Sequence, residues 1–508
     1  MELKTTEKPS TPDADAGTLR PDSKPEQDLE VDRGPRDADA DRTDPNVVDW
    51  DGPNDPANSK NWPDSQKWMN VTVLSVMSVV TPLGSSMFAP GIPGIMVEFQ
   101  ERSSTVATFL LSVYILGFAF GPLIVAPLSE TFGRRQLYVY SNILFVGFTI
   151  GAALSTSIGM LMAFRLLMGL SGAVPVTIGS GSIADIMPVE KRGRAMSVWA
   201  LGPLLGPCVG PIAGGYLIQG AGWRWVYWLI VILGGILIPI SLFCLRETFA
   251  PVLLEAKTQR LRKETGNTEL RSALSDRAST KERFKLAVTR PLKLLLLTPI
   301  VALMSLYVAL TYGILYLLIA TFSFVYGQRY GFSEGDSGLT FLPAGLGMVI
   351  GVAAFGQLTD YMVRRHQAKG DPLTPEVRLA PVLTVPTGVA IPVGLFLYGW
   401  AAEYYVHWIV PMLGVLIMSM GMMGVMFCVQ NYLLDTYPQY AASVTAAMAV
   451  LRSLLGALLP LAGLEMYDAL GLGWGDSLLA FVALALVPMP LVFFWFGPRI
   501  RGRFNPKL

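Results

Sequence analysis

Residues 202–215 read GPLLGPCVGPIAGG and lie inside an apolar run from residue 196 to residue 219. The glycines recur every four residues, so they share one face of a helix. They are Gly202, Gly206, Gly210 and Gly214, with Gly215 directly after the last. The first three are each followed by a proline, namely Pro203, Pro207 and Pro211. A glycine face lets a membrane helix pack very close to a neighbour, and prolines allow a helix to bend. The segment therefore fits either a tightly packed helix or the bending helix of a transporter.

The composition is typical of a membrane protein. Hydrophobic residues make up 52% of the 508 residues and charged residues 15%, whereas about 25% of a soluble domain is charged. Residues 1–67 hold 17 acidic and 9 basic side chains, and no aromatic residue precedes Trp50. We predict that residues 1–45 are disordered, because they can bury too little apolar surface. The next segment, with Trp50 and Trp62, is predicted to lie at the membrane interface, where tryptophan is favoured.

Twelve apolar runs of about 20 residues follow, each long enough to cross a hydrocarbon core about 30 Å thick. They cover approximately residues 68–90, 105–128, 136–156, 159–184, 196–219, 223–245, 295–322, 337–359, 380–401, 405–432, 442–465 and 477–497. Each run must be helical, because lipid offers the backbone no hydrogen-bond partners. The sequence predicts an all-α integral membrane protein with twelve transmembrane helices in two pseudo-symmetric six-helix halves. The halves are residues 68–245 and 295–498, with a central loop at 246–294 and a short basic tail at 499–508.

Basic side chains are concentrated in alternate loops. The other set of loops contains only Arg102, Arg224 and Arg329. The positive-inside rule then places both termini and the central loop in the cytoplasm. We expect a multi-pass protein of the cell membrane, with the vacuolar membrane as an alternative.

Two ten-residue stretches indicate that the halves repeat. Residues 126–135 read APLSETFGRR and residues 356–365 read GQLTDYMVRR, after the second and eighth predicted spans. A leucine, a hydroxyl residue, an acid and two arginines share the same offsets, as expected for an internal duplication. We predict a cytoplasmic latch in which the acids pair with basic loops and helix ends; an ordinary charge pair at a helix end is the alternative. The residues concerned are Glu130, Gly133, Arg134, Arg135, Asp360, Arg364 and Arg365.

The pattern Gly206-xxx-Gly210-Pro211-xx-Gly214-Gly215 resembles the antiporter motif in the fifth helix of drug exporters of the major facilitator superfamily. RLLMGLSGA at 165–173, ADIMPVEKRGRA at 184–195 and RETFAPVLLEAKTQRLRKETGN at 246–267 are similar to segments of its fungal drug:proton antiporters with twelve spans. The resemblance covers about residues 46–500. It implies alternating access between two six-helix halves and export of small molecules in exchange for protons.

Charged residues inside predicted spans are costly and usually functional. The candidates for substrate binding or coupling are Arg165, Asp185, Arg452 and Glu465. Arg452 lies about eleven residues, roughly 16 Å, into its helix and thus near the midplane. Arginine keeps its proton in proteins, so Arg165 and Arg452 either attract substrate or influence a nearby acid. For Arg452 the alternative is a structural arginine bonded to backbone carbonyls or polar side chains. Asp185, Glu465 and Glu98 are the acids available for proton exchange, with a local role at a helix end as the alternative for each.

The predicted cavity is lined mainly by apolar and aromatic side chains. Tyr312 and Tyr316 in the seventh span and Asn431 in the tenth are its candidate polar residues. A pocket with few fixed charges suits a hydrophobic or amphipathic molecule better than a sugar phosphate or an amino acid. The predicted substrate is a drug, fungicide, polyamine or secondary-metabolite toxin.

Other functions of the same fold stay open, above all a nutrient importer or facilitator, and less so a transporter-derived receptor. An enzyme is not expected, because the sequence has no nucleotide-binding loop, metal-ligand cluster or nucleophile–histidine pair. We expect no cofactor, no metal and no nucleic-acid partner. The expected partners are the lipid bilayer, a small-molecule substrate and, by resemblance, protons, and the protein is expected to be a monomer.

Overall fold

The structure is a computed structural model that describes residues 46–274, 280–368 and 374–504, without the side chains of Val189, Asp360 and residues 280–283. The predicted disorder of residues 1–45 therefore concerns residues outside the described part. The predicted latch role of Asp360 likewise depends on a side chain that lies outside it.

Ten helices long enough to cross a membrane follow one another between residues 64 and 436. They are α1 (Asp64–Ser86), α2 (Ser104–Phe132), α3 (Arg134–Ala153), α4 (Ile158–Ile186), α5 (Val189–Ala221), α6 (Arg224–Cys244), α7 (Pro299–Tyr330), α8 (Leu342–Ala368), α9 (Pro381–Glu403) and α10 (Ile409–Thr436). Shorter helices lie at Ile92–Glu98, Ala250–Thr265, Thr280–Leu297 and Glu334–Leu339.

The last helical stretch, Pro438–Arg503, is 66 residues long. At 1.5 Å per residue it measures about three times the thickness of a hydrocarbon core, so it must turn back. The turn is at Gly471, whose non-helical φ of 76° and ψ of 170° suit glycine. The chain rises through α11 (Ala441–Leu458) and a 3-10 turn (Leu459–Ala462), turns within α12 (Gly463–Leu486) and returns through α13 (Pro488–Arg503). The described residues thus make twelve crossings, and the predicted fold class is confirmed.

Two bundles of helices meet along a boundary. Helices α1–α6 form the first half and α7–α13 the second, and the halves pack together chiefly where α2 meets α11 and where α5 meets α8 and the helix before it. The helix Thr280–Leu297 contacts both α2 and α11. We call the end of the bundle at which α1 begins the proximal end, and the opposite end the distal end.

The two copies of the repeated stretch differ in backbone structure. In the first copy Gly133, with φ 88°, ends α2 directly before Arg134. At the same offset in the second copy stands Val363, and α8 continues to Ala368. A β-branched residue does not adopt the positive φ that ends a helix in this way. Residues 356–365, expected in a loop, therefore lie within α8, where the side chains of Arg364 and Arg365 are exposed.

The segment before α1 is bound to the protein itself. Val47–Val48 pairs as a parallel strand with Arg271–Ser272 of the central loop. Trp62, expected at the membrane interface, is only 9% exposed and packs with Ile183 and Ala195 at the proximal ends of α4 and α5. We call residues 46–62 the strap, because they join the central loop to the first half.

Candidate functional site

The glycine stripe of α5 packs against α1. The contacts pair Gly202 with Ser78, Gly206 with Pro82, Gly210 with Ser86, and Gly214 with Met87. A Cβ atom added to Gly206 would lie 2.5 Å from the Cβ atom of Pro82, which is closer than packed atoms approach. Helix α5 is helical throughout Val189–Ala221 despite its three internal prolines. The stripe therefore produces close packing between two helices of the same half.

A second face of α5 contacts the other half. Three contacts form it, Cys208 with Gly345, Pro211 with Gly338, and Gly215 with Glu334, and we call them the distal seam. A Cβ atom added to Gly345 would lie 2.5 Å from the Cβ atom of Cys208. Contacts this close leave no space for a molecule to pass between α5 and the other half.

Two hydrogen bonds also join the halves at the distal end. Ser323 donates to the carbonyl of Ala89 at 3.3 Å. Thr105 donates to Oε1 of Glu465 at 2.5 Å. The structure thus places Glu465, a candidate coupling acid, in an exposed contact between the halves. The distal end is closed along the seam and these two bonds.

Arg452 lies on α11, the helix of the second half that packs on α2. Its guanidinium carbon is 4.9 Å from the ring centre of Tyr312, and the rings of Tyr312 and Tyr316 are 4.8 Å apart. Its Nη1 donates a weak hydrogen bond of 3.8 Å to the sulfur of Met426. Its Nε is buried and has no hydrogen-bond partner among the described residues. Three of the predicted site residues, Arg452, Tyr312 and Tyr316, therefore form one cluster.

The surroundings of this cluster come from both halves. A Cβ atom added to Gly456, one helical turn beyond Arg452, would lie 3.1 Å from the ring of Tyr312 and 3.4 Å from Ile115 of α2. Asn431 is half-buried on α10, about five residues or 7.5 Å from Met426 toward the proximal end. The cluster is therefore at the boundary between the halves, with Asn431 closer to the proximal end.

Arg165 has a different environment, since it is fully buried in the first half. Its guanidinium donates to the carbonyls of Leu110, Ser85, Gly84 and Leu111 at 2.7, 2.9, 3.3 and 3.4 Å, and to the hydroxyl of Tyr227 at 3.3 Å. It also lies 3.6 Å from the ring centre of Phe88. These acceptors belong to α1, α2 and α6, so Arg165 joins three helices to α4.

Arg134 and Asp185 form an ion pair of 2.6 Å at the proximal end of the first half. Beside them the carboxylate of Glu247 accepts hydrogen bonds of 3.0 Å from four backbone amides, those of Arg134, Arg135, Thr248 and Phe249. The side chain of Arg135 donates to the carbonyls of Leu245 and Leu242.

Sequence reasoning did not select Glu247, although its place directly after the sixth span next to an arginine was a usable signal. Glu130 is exposed near the end of α2.

The second half repeats this arrangement with other residues than expected. Arg378, just before α9, pairs with Asp435 of α10 at 2.9 Å, as Arg134, the first residue of α3, pairs with Asp185 of α4. Glu376 pairs with Arg501 at 2.7 Å. The structural counterpart of Arg134 is therefore Arg378, whereas sequence offset alone pointed to Arg364.

Asp476 is a further buried acid, which sequence reasoning did not select because the predicted last span begins after it, at residue 477. The break at Gly471 puts it about five residues, or 7.5 Å, inside the returning helix. It is fully buried, and Tyr467 donates a hydrogen bond of 2.9 Å to its Oδ1. Its Oδ2 has no hydrogen-bond partner among the described residues.

A cavity of about 410 Å³ lies at the proximal end of the second half. Met362, Phe494 and Pro498 line it together with Glu376 and His366. Its walls come from α8, α9, α13 and the segment before α9, all in one half. It is therefore separate from the boundary at which Arg452 lies.

Twelve crossing helices in two halves, a polar cluster on their boundary and a closed distal end define a membrane transporter. Residues 74–460 match the family model of the Major Facilitator Superfamily, and the chain belongs to that superfamily.

Among its relatives, the chain is 50% identical over 470 residues to the efflux pump radE of Floropilus chiversii, which covers 92% of this chain and 87% of that protein. It is 48% identical over 464 residues to the MFS-type transporter penM of Penicillium rubens, which covers 91% of each. The fold is similar to that of the xylose transporter XylE from E. coli in a partially occluded inward-open conformation. That match has a TM-score of 0.61 at 16% identity and covers 85% of this chain and 98% of that one.

Proposed function

We propose that this protein is a secondary active exporter of hydrophobic or amphipathic small molecules that works by alternating access. The observation that carries the proposal is the cluster of Arg452, Tyr312 and Tyr316 at the boundary of the halves, combined with closure of the distal end by the seam. A site on the boundary becomes accessible from one side or the other as the halves rock.

The nature of the lining supports an amphipathic substrate. Two tyrosine rings, the Met426 thioether and Ile115 offer apolar surface, and one guanidinium offers a fixed charge. Sites of this kind bind apolar bodies and use a few polar groups for orientation. The substrate is a drug, fungicide, polyamine or secondary-metabolite toxin, and the similarity to a relative named an efflux pump, at 50% identity, supports export over uptake.

The proposal includes exchange for protons. The acids that qualify are Asp185, bound to Arg134, Glu465, bound to Thr105, and Asp476, bound to Tyr467. Among them Asp476 is fully buried without a cationic partner among the described residues, and a buried acid of this kind in a membrane is usually functional. We therefore assign proton exchange to Asp476 first.

The direction in the membrane follows from the basic loops. Arg134, Arg192 and the helix Ala250–Thr265 lie at the proximal end, so this end faces the cytoplasm with both termini. The protein acts as a monomer in the cell membrane, or in the vacuolar membrane.

Efflux of chemically diverse compounds from a transporter-deleted host tests the proposal. Cells that express the protein should retain less of at least one amphipathic compound, and removing the proton gradient should restore retention. Uptake that the gradient drives inward would identify an importer. If the compound equilibrates across liposomes whatever the proton gradient, the protein is a facilitator. If the compound binds but is not transported, the protein is a receptor.

A further inference from the structure

We propose that Arg452 binds an acidic group of the substrate, so that the exported molecules are amphipathic organic anions such as aromatic carboxylates. The inference rests on the proposed exporter function and narrows its substrate class. It turns on a contrast between two arginines within the membrane-spanning helices.

Arg165 shows what a structural arginine looks like in this protein. Its three guanidinium nitrogens have five acceptors, four of them backbone carbonyls, at 2.7 to 3.4 Å. A buried cation is tolerated when oxygen atoms replace its water in this way. All of its N–H groups therefore have acceptors within the protein, and none is left to bind a ligand.

Arg452 has no comparable set of oxygens. Within the described part of the chain its guanidinium donates to a thioether sulfur at 3.8 Å, its Nε is buried and unbonded, and it has no ion pair. A cation near the middle of a bilayer costs free energy unless an anion or several dipoles approach it. The missing partner is therefore one that enters with the substrate.

The shape of the guanidinium specifies the partner. Its planar fork of N–H donors matches the two oxygens of a carboxylate, so a bidentate pair can form. Tyr312 lies against Arg452 and Tyr316 lies against Tyr312, so an aromatic surface adjoins the charge. Together they fit a molecule with an acidic group at one edge of an apolar or aromatic body. A polyamine, which is cationic, is repelled by the same site.

The position of Arg452 makes the pairing useful for transport. Helix α11 packs on α2 of the other half, and Gly456 beyond Arg452 contacts residues of both α7 and α2. The ligand therefore binds where the halves separate and close. An anion bound there supplies the counter-charge that Arg452 lacks, whichever side of the membrane the site faces.

Matched pairs of aromatic carboxylic acids and their primary amides test the inference, because each pair differs in charge while its size is preserved. Purified protein in liposomes should transport the acids at least tenfold faster than the amides. Arg452→Gln should lower acid transport at least tenfold and leave amide transport within twofold. Arg452→Lys keeps the charge without the fork, so it should retain an intermediate rate for acids.

Arg499→Gln is the matched control, since Arg499 is a cation at the proximal end that lies 5.9 Å from the ring centre of Phe496; it should transport both probes as the wild type does. Equal loss of acids and amides in Arg452→Gln, with a lowered melting temperature, would show a structural role and overturn the inference. So would equal transport of both classes, or of polyamines, by the wild type, although export would stand. If no compound of either class moves, the proposed function itself fails.

Discussion

The carbonyl oxygen of Pro211 in α5 occupies the space that a Cβ atom of Gly338 would need, so the two halves meet there backbone to backbone. This contact belongs to the distal seam, and it exists only because residue 338 has no side chain. A larger residue at 338 must push the halves apart at this end.

We therefore expect Gly338→Leu to hold the distal end open and to lower efflux at least tenfold at a normal membrane level. Cys208, which is 4% exposed and lies against Gly345, is a built-in reporter of the same seam. Its labelling by a membrane-impermeant maleimide from the distal side should increase. Gly327→Leu is the control, because a Cβ atom there meets nothing within 4 Å. Wild-type efflux with a protected Cys208 in Gly338→Leu would contradict the prediction.

A leucine in the glycine stripe should act within one half. Gly210→Leu and Gly214→Leu place a side chain against Ser86 and the carbonyl of Met87, so α5 can no longer lie against α1. Leucine is favourable in lipid, and insertion should remain normal. We expect efflux to fall at least tenfold in both, while Gly220→Leu, with open space around residue 220, keeps wild-type efflux. Normal transport by Gly214→Leu would refute the packing argument.

Glu247→Gln should destabilise the protein through the backbone. Oε1 of the carboxylate accepts from three N–H groups and Oε2 from one, and glutamine replaces one of these oxygens with an NH2 group that cannot accept. Unpaired donors next to a lost charge cost about 2–3 kcal/mol. The melting temperature in detergent should therefore fall measurably. Glu264→Gln removes an exposed helix pair with Arg260 and should change it little; similar losses in both variants would be the contrary result.

Asp476→Asn tests the proposed proton exchange. The side chain keeps its shape and the oxygen that accepts from Tyr467, but it loses the ability to release a proton. In liposomes with an imposed pH difference we expect substrate accumulation to stop, while exchange of labelled for unlabelled substrate continues. Asp185→Asn and Glu465→Gln serve as comparators. Should Asp476→Asn accumulate substrate normally while one comparator does not, the proton site moves to that acid.

The strap should respond to acid. Backbone N–H groups of Asp51 and Ala57, together with Lys257, hold the pKa of Asp55 below its usual 3.8. A carboxyl group with a lowered pKa stabilises the fold above its unfolded value, and this contribution disappears as the pH falls through the folded pKa. We expect protease cleavage within residues 46–62 to rise below about pH 4. Asp55→Asn should show the same cleavage at pH 7. Cleavage that changes neither with pH nor in this variant would refute the role of Asp55 in holding the strap.

Lys257 sets the upper limit of the pH range in which the strap is held in place. Burial alone would lower its pKa, but hydrogen bonds to Asp51 and Asp55 outweigh burial and raise it above 10.5. Its contribution is present below that value and disappears as the pH rises through the folded pKa. The strap should therefore stay resistant throughout the neutral range.

The twelve crossings and the close-packing glycine face could be predicted because each depends on one helix at a time. Hydropathy and a four-residue repeat are properties of a continuous stretch. The different backbone of the two repeat copies was not predicted, since both were expected in loops, although Gly133 and Val363 occupy the same offset and only glycine tolerates the φ that ends α2.

The environments of the two arginines could not be read in this way. Arg165 and Arg452 both lie in apolar runs, and their difference depends on which backbone carbonyls other helices bring within reach. Asp476 was not selected, because the predicted last span begins only at residue 477 and hydropathy does not locate the turn at Gly471 within several residues. The counterpart of Arg134 was missed because Arg378 follows a longer loop.

The strap changes how the connection between the halves works. Strand pairing fixes the central loop to the first half as far as Ser272, and the helix against α2 and α11 begins at Thr280. Only residues 273–279 lie between these two anchored points, and seven residues reach at most about 25 Å when extended. The central loop of nearly fifty residues therefore acts as a much shorter connection between the halves. The length of this connection limits how far the halves can move relative to each other. A glycine–serine insert into it should therefore increase the range of that movement without altering either end of the substrate path.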